Sequence, residues 1–274
     1  MFPNWLGLIC ATFALLAFFV SYGAAKRIPV KKRVVWTLTT LVLALPGASF
    51  AAYYAHVVEV PAWYYEFRSW PRIEACLILI GIAGGVVASL VGPISRILSL
   101  LLVVLFVTVP FVKPFLGPFH EGALRDQWDG KVCRQSTYST CGAASTASLL
   151  RHHGIIVTEA VIAEEAHSYT SGTEAWYLAR AIRQRGLQVK FQLSTDEPLF
   201  LSATPVMEPR ESKNDPTVAM VGVRFGNTGH FIALLGEDKT GKLVVGDPLR
   251  GRELLSREEL RQRYVFTGFS MQVF

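Results

Sequence analysis

Cys141 stands in the segment Gln135-Ser-Thr-Tyr-Ser-Thr-Cys141-Gly-Ala-Ala, where a thiol opens a run of small residues that reads as a helix. A helix N-terminus favours the thiolate, which lowers the pKa of a thiol placed there and makes it a nucleophile near neutrality. Gln135 lies six residues earlier. Its amide N–H and the backbone N–H of Cys141 can together receive the oxyanion that forms when a thiolate attacks a carbonyl. His230 leads the apolar run His230-Phe-Ile-Ala-Leu, where an imidazole at the strand's mouth can take the thiol proton and return it to a leaving amine. Asp247 ends the next run, Val244-Val-Gly-Asp247, and its carboxylate can hold the far ring nitrogen and so fix tautomer and orientation. The Asp238-Lys-Thr-Gly241 turn makes these two runs neighbouring strands. Singly, each residue has an ordinary reading: a small buried hydrophobe, a satisfied histidine, an Asp-Pro turn. In the order Gln, Cys, His, Asp, each at the mouth of a suitable element, they predict a thiol nucleophile with a base and an orienting carboxylate.

The elements that must carry this set are mixed α and β. Helices are predicted over 141–153, ended by Gly154, over 158–167, and over 173–185, stopped by Gly186. Strands are predicted over 187–193, 218–225, 230–235, 242–246 and 265–273, and Ser256-Arg-Glu-Glu259 forms a capping box before the last of them. His152 and His153 are expected to close a helix, His167 to be exposed, and Arg180, Arg183 and Arg185 to form a solvated face. Two other chemistries are set aside. Gly236-Glu-Asp-Lys-Thr-Gly-Lys242 has phosphate-loop spacing, but Leu243 replaces the Mg²⁺-binding hydroxyl and no helix N-terminus follows. Cys133 and Cys141 with His152 and His153 lack a four-ligand metal spacing, so neither a metal nor another cofactor is expected.

The first part of the chain belongs to a different solvent. Hydrophobic residues make up 51% and charged residues 18% of the 274 residues, and the apolar excess falls before about residue 115. Mean hydropathy is +0.34. Four stretches read as membrane spans, 5–22, 34–54, 75–95 and a short 97–112, with Gly92-Pro93 ending the third. Cys10 and Cys76 lie inside these runs as inert thiols. The first is read as a retained anchor, because its positive charges follow the apolar run instead of preceding it. The net charge of +6 does not signal nucleic acid. Lys26, Arg27, Lys31, Lys32 and Arg33 cluster between two spans as a topology signal, and no Lys/Arg stripe interleaved with aromatics occurs. The basic loop is expected in the cytoplasm. The loop His56 to Glu74, with Trp63, Tyr64, Tyr65 and Trp70, is expected outside as an aromatic interface belt. Four spans then leave the soluble part extracytoplasmic, an expectation that a re-entrant fourth segment would reverse. The domains expected are a transmembrane region at 1–115 and a soluble domain at 116–274, the latter long enough to bury its own core.

Residues 135–144, 230–235 and Asp247-Pro-Leu-Arg-Gly251, followed by the 255–264 helix and the last strand, resemble the bacteriocin-processing peptidases. These are papain-like enzymes that remove double-glycine leader peptides. The resemblance covers roughly residues 130–274. It implies an α+β papain-like cysteine peptidase domain, a helix packed on an antiparallel sheet, C-terminal to a four-helix transmembrane region. It implies Cys141 as nucleophile, Gln135 in the oxyanion hole, His230 as base and Asp247 as orienter. Thr140 stands where the family usually has an acidic residue, which is expected to alter local hydrogen bonding without removing the chemistry. The family's best-known members are N-terminal domains of export transporters with an ATPase, whereas here the domain follows the spans and no ATPase follows it. The expected protein is a thiol peptidase of a bacterial inner or plasma membrane. Its partners are a peptide or protein substrate, the lipid bilayer and, as a candidate, a separate export transporter. Amide or acyl transfer by the same thiol, or peptide binding without catalysis, are the competing readings.

Overall fold

The computed structural model describes residues 1–55, 60–120, 122–194, 198 and 218–274. His56 to Glu59, the start of the expected outer loop, lie outside the described residues. The chain forms two compact units, one of residues 3–60 and 71–116, the other of residues 1–2, 61–70 and 117–274.

The first unit is helical: α1 (Trp5–Lys26), α2 (Val30–Tyr54), α4 (Cys76–Ala88), α5 (Pro93–Thr108) and a short α6 (Lys113–Leu116). Three helical stretches, Trp5–Lys26, Val30–Tyr54 and Pro93–Phe111, are long and apolar enough to cross a bilayer. Large apolar side chains such as Val20, Leu38, Ile94 and Leu101 point outward, the inverse of a water-soluble bundle. The third expected span is shorter than 75–95. α4 has 13 residues after the 3-10 turn Ile73–Ala75, and the chain bends between Ser89 and Gly92 before Pro93 opens α5 at its first position. Glycines let α1 and α4 touch through their backbones. A Cβ on Gly81 would fall 1.8 Å from the Ala14 carbonyl oxygen, and one on Gly85 would fall 2.2 Å from that of Phe18. The helices run in the same direction. Asn4, at the start of α1, donates to Glu74 Oε1 at 3.2 Å, while Ser21 near the other end donates to Ile82 O at 3.1 Å.

The second unit is built on a six-stranded antiparallel sheet of β3 (Val189–Leu193), β4 (Val218–Phe225), β5 (Thr228–Glu237), β6 (Leu243–Asp247), β7 (Gly251–Leu255) and β8 (Val265–Val273). The strand order is β3-β8-β4-β5-β6-β7. A hairpin of β1 (Gln127–Asp129) and β2 (Val132–Arg134) accompanies it. Helices α7 (Cys141–His152), α8 (Glu159–Glu165), α9 (Ala175–Arg183) and α10 (Arg257–Arg263) complete the peptidase-sized segment, together with α3 (Ala62–Arg68) from between α2 and α4. α7 is buried over residues 141–150 and rests on the sheet through small side chains, with Ser145 donating to the Phe231 carbonyl of β5 at 3.1 Å.

Four expectations change here. Tyr64 and Tyr65 are not a solvent-facing interface belt. Tyr64 is 4% exposed, and the Tyr65 ring lies 5.4 Å from Phe191 and 5.5 Å from Phe269. Arg180 and Arg183 are not merely solvated, since Arg183 pairs with Glu66 and Arg180 donates to the Arg68 carbonyl at 3.1 Å. Burial works against a helix-end charge on His153, lowering its pKa. His167 is half-buried, its ring 4.9 Å from Tyr177.

Candidate active site

α7 begins at Cys141 itself, with Thr140 as the cap residue, so the Cys141 N–H belongs to the first turn and has no partner within the helix. The Thr140 hydroxyl is turned to the preceding loop, accepting from the Thr137 N–H at 3.1 Å. Cys141 is 9% exposed. All four cysteines are free thiols, and burial pushes the Cys133 thiol up, far from reactivity.

The β5–β6 hairpin closes at Asp238, whose carboxylate accepts from the N–H groups of Thr240 and Lys242 at 2.9 Å each. Strand pairing across it, Ala233 with Gly246, brings His230 and Asp247 to the same end of the sheet. His230 Nε2 lies 2.9 Å from Asp247 Oδ1. The Cys141 thiol is close enough to act on the imidazole, and with Nε2 engaged by Asp247 the nitrogen left for sulfur is Nδ1. Burial alone would lower the His230 pKa. The bonds to Asp247 and Cys141 outweigh it and raise the value to about 9.

Asp247 is 0% exposed and held on both oxygens. Oδ1 also accepts from the Leu249 N–H at 2.9 Å, and Oδ2 accepts from the Tyr264 hydroxyl at 2.9 Å. Burial would raise its pKa, but the bonds from His230, Leu249 and Tyr264 bring the net shift below the usual value. Phe225 walls the pair, its ring 5.0 Å from His230 and 6.1 Å from Tyr264. The turn after Asp247 needs its glycine. Gly251 has φ +95°, and a Cβ there would lie 2.4 Å from Asp129 Oδ2.

Gln135 is tied to the same turn by its backbone, whose N–H donates to the Pro248 carbonyl at 3.0 Å. Its side chain is not arranged as an open donor. Nε2 donates to the Thr137 carbonyl at 2.7 Å, while Oε1 is buried without a hydrogen-bond partner. The next residue is fixed by a carboxylate that the sequence did not single out. Glu159, fully buried at the start of α8, accepts from the Ser136 N–H at 2.9 Å and from the Ser136 hydroxyl. Its only sequence signal was an acid in a first turn after the capping Thr158. Tyr264 was likewise missed, although the capping box that positions α10 just before it was legible. Among the described residues, no group of three His, Cys, Asp or Glu side chains converges as a metal site.

The model of the peptidase C39 family matches residues 129–273. An uncharacterized protein of Methanothermobacter thermautotrophicus is 29% identical over 140 residues, covering 51% of this chain and 85% of that protein. Cysteine protease effector 1 of Escherichia coli is 27% identical over 159 residues, covering 55% of this chain and 30% of that protein. Among solved structures, a double glycine motif protease from an AMS/PCAT transporter, in complex with the leader peptide, is 22% identical with a TM-score of 0.39. That match covers 57% of this chain and 96% of the other. The family match covers the helices and antiparallel sheet that follow the apolar region, the segment whose motifs resemble the bacteriocin-processing peptidases. The family match spans more than half of the chain, and the chain belongs to the peptidase C39 family.

Proposed function

We propose that this chain is a membrane-anchored cysteine peptidase with Cys141 as nucleophile, His230 as base and acid, and Asp247 as the orienting carboxylate. One observation carries the reading. A buried imidazole lies between the thiol that opens α7 and a buried carboxylate that is itself held on both oxygens. In this arrangement the Cys141 sulfur gives its proton to His230 Nδ1 and attacks the scissile carbonyl. The oxyanion is received by the Cys141 N–H and the Gln135 amide. Imidazolium then protonates the leaving amine, leaving an acyl-thioester that water, activated by the neutral ring, hydrolyses. Asp247 keeps the Nε2–H pointed away from sulfur throughout, so the reactive nitrogen stays aimed at the nucleophile.

A peptide with a double-glycine leader is the substrate to try first, because the AMS/PCAT relative is such a protease with its leader bound. An export transporter is the corresponding candidate partner. The test is to incubate the detergent-solubilised full chain with leader peptides and an iodoacetamide probe. Selective alkylation of Cys141, with cleavage that disappears in Cys141→Ala, supports the assignment; equal turnover by that variant refutes it.

A further inference from the structure

The peptidase unit includes ten residues, Pro61–Trp70, that the sequence places between two apolar helices. Their attachment is built from several kinds of contact. Glu66 accepts from the Phe191 N–H of β3 at 3.0 Å and pairs with Arg183 of α9, and Arg183 also donates to Ser69. Arg68 is fully buried with its guanidinium 4.5 Å from the Trp176 ring centre, and its carbonyl accepts from Arg180. Tyr65 sits among Trp176, Phe191 and Phe269. Withdrawing this segment would expose three aromatic side chains of the fold and break up a half-buried carboxylate–guanidinium network.

Residues 61–70 and 117–274 must therefore share one aqueous compartment. The chain between residues 71 and 116 then crosses the bilayer an even number of times. That holds whether α4 and α5 each cross or form one re-entrant hairpin, so the short α4 does not affect the facing. What remains is α2, whose 25 residues extend about 37 Å at 1.5 Å each, enough for a hydrocarbon core of about 30 Å. One crossing separates residues 61–70 from the 26–33 loop. That loop carries five basic residues and no acidic one, the mark of a cytoplasmic connection, and a translocated domain's own charge does not override it. The helical unit is consistent with this. Arg33 donates to the Ser89 carbonyl at 3.1 Å, and Lys26 and Arg96 both lie over Tyr22, so the cations gather at one end. Asn4 and Glu74 meet at the other end, and Gly7 lies against Phe111 there.

We propose that the peptidase unit faces away from the cytoplasm, and that its substrate is a polypeptide already carried across the membrane with the scissile segment attached. The substrate clause rests on the peptidase reading; the facing does not. An export reaction must therefore supply the substrate, and cleavage follows translocation.

The test uses the full chain in intact cells, with Cys141→Ala to remove the native reactive thiol, and a membrane-impermeant maleimide. Reporter thiols are placed one at a time at exposed positions: Ile156→Cys and Lys239→Cys in the peptidase unit, Trp63→Cys in α3, and Val30→Cys at the basic loop. The expected result is full labelling of the first three without permeabilisation and of Val30→Cys only after it. Two peptidase reporters guard against one that misfolds. Labelling of either peptidase reporter together with Val30→Cys overturns the proposal, as does a peptidase reporter that labels from the side opposite Trp63→Cys. The pattern is read without turnover, so an inactive peptidase leaves it intact and a reversed pattern leaves the peptidase assignment standing.

Discussion

The two arms of the candidate site are held in different ways. On the base arm, His230 is pinned by Asp247, and Asp247 in turn by the Leu249 N–H and the Tyr264 hydroxyl, all at 2.9 Å. On the oxyanion arm, the loop is fixed by Glu159 and by the Gln135–Pro248 backbone bond, yet the Gln135 amide gives one of its two N–H groups to the Thr137 carbonyl. The base arm is thus finished before substrate arrives, and the oxyanion arm keeps its side-chain donor engaged until a better acceptor appears. In the proposed mechanism the oxyanion is that acceptor: a charged oxygen outbids a neutral carbonyl for the same N–H. The lone Oε1, buried without a partner, makes the resting pose less costly to leave.

The comparison breaks most visibly at the base. His230→Ala removes the proton carrier and is expected to lower kcat/KM for a cleavable leader peptide by about 10³-fold, within the range typical of positioned acid–base groups. Retained activity would mean that the finished arm is structural only. Gln135→Ala probes the other arm. It should lower kcat by about 10²-fold with KM little changed, as when a donor that serves only the transition state is lost. If kcat is unmoved, the amide never leaves Thr137 and the Cys141 N–H works alone.

How much of this was legible in the sequence differs between the arms for a physical reason. The base arm rests on strand periodicity and a tight turn, so β5 and β6 were predictable within two or three residues, and the His230–Asp247 approach followed from the hairpin. α7 was expected over 141–153 and spans 141–152, because Gly154 stops it. The pose of the Gln135 amide depends on a loop whose bonds come from Glu159 and Pro248, distant in sequence and carrying no periodic signal. The strand β7, Gly-Arg-Glu-Leu-Leu, was missed because its pairing rests on the Asp247–Gly251 turn and not on apolar alternation, and the three-residue strands β1 and β2 pair, among the described residues, only with each other around Gly130. α3 was hidden most thoroughly. Aromatics next to a span read as an interface belt, and only the folded chain shows Tyr65 in a core and Glu66 capping a strand.

Asp247→Asn sharpens the base arm. The amide oxygen still accepts the His230 Nε2–H, but the charge that favours imidazolium is gone. The rate should fall about tenfold, the cost of weakening a hydrogen bond to a charged group. The pH profile tells more. His230 has its pKa raised to about 9 in the intact site, so the catalytically competent imidazolium is lost only as pH climbs through that value. Removing the charge lowers that pKa, and the alkaline limb should move to lower pH. Stability follows the same sign. The His230 contribution is complete below its ordinary value of 6.5 and disappears as pH rises through about 9, and it should shrink in the variant.

Tyr264→Phe is the smallest change and the most specific. The ring still packs on Phe225, and only the hydroxyl bond to Asp247 Oδ2 is removed. Burial, reinforced by the adjacent carboxylate, pushes the phenol well above its usual range, so Tyr264 acts as a neutral donor at every working pH. Losing it costs about 1 kcal/mol of orientation, or roughly a fivefold fall in kcat. The limb should not follow Asp247→Asn. Without the phenol, Asp247 is a stronger base, which favours imidazolium, so the alkaline limb should stay at about 9 or move above it. A rate that falls with the limb moving down would mean that Asp247 had swung away from His230. The geometry of the base arm would then depend on Tyr264 far more than one neutral hydrogen bond can explain.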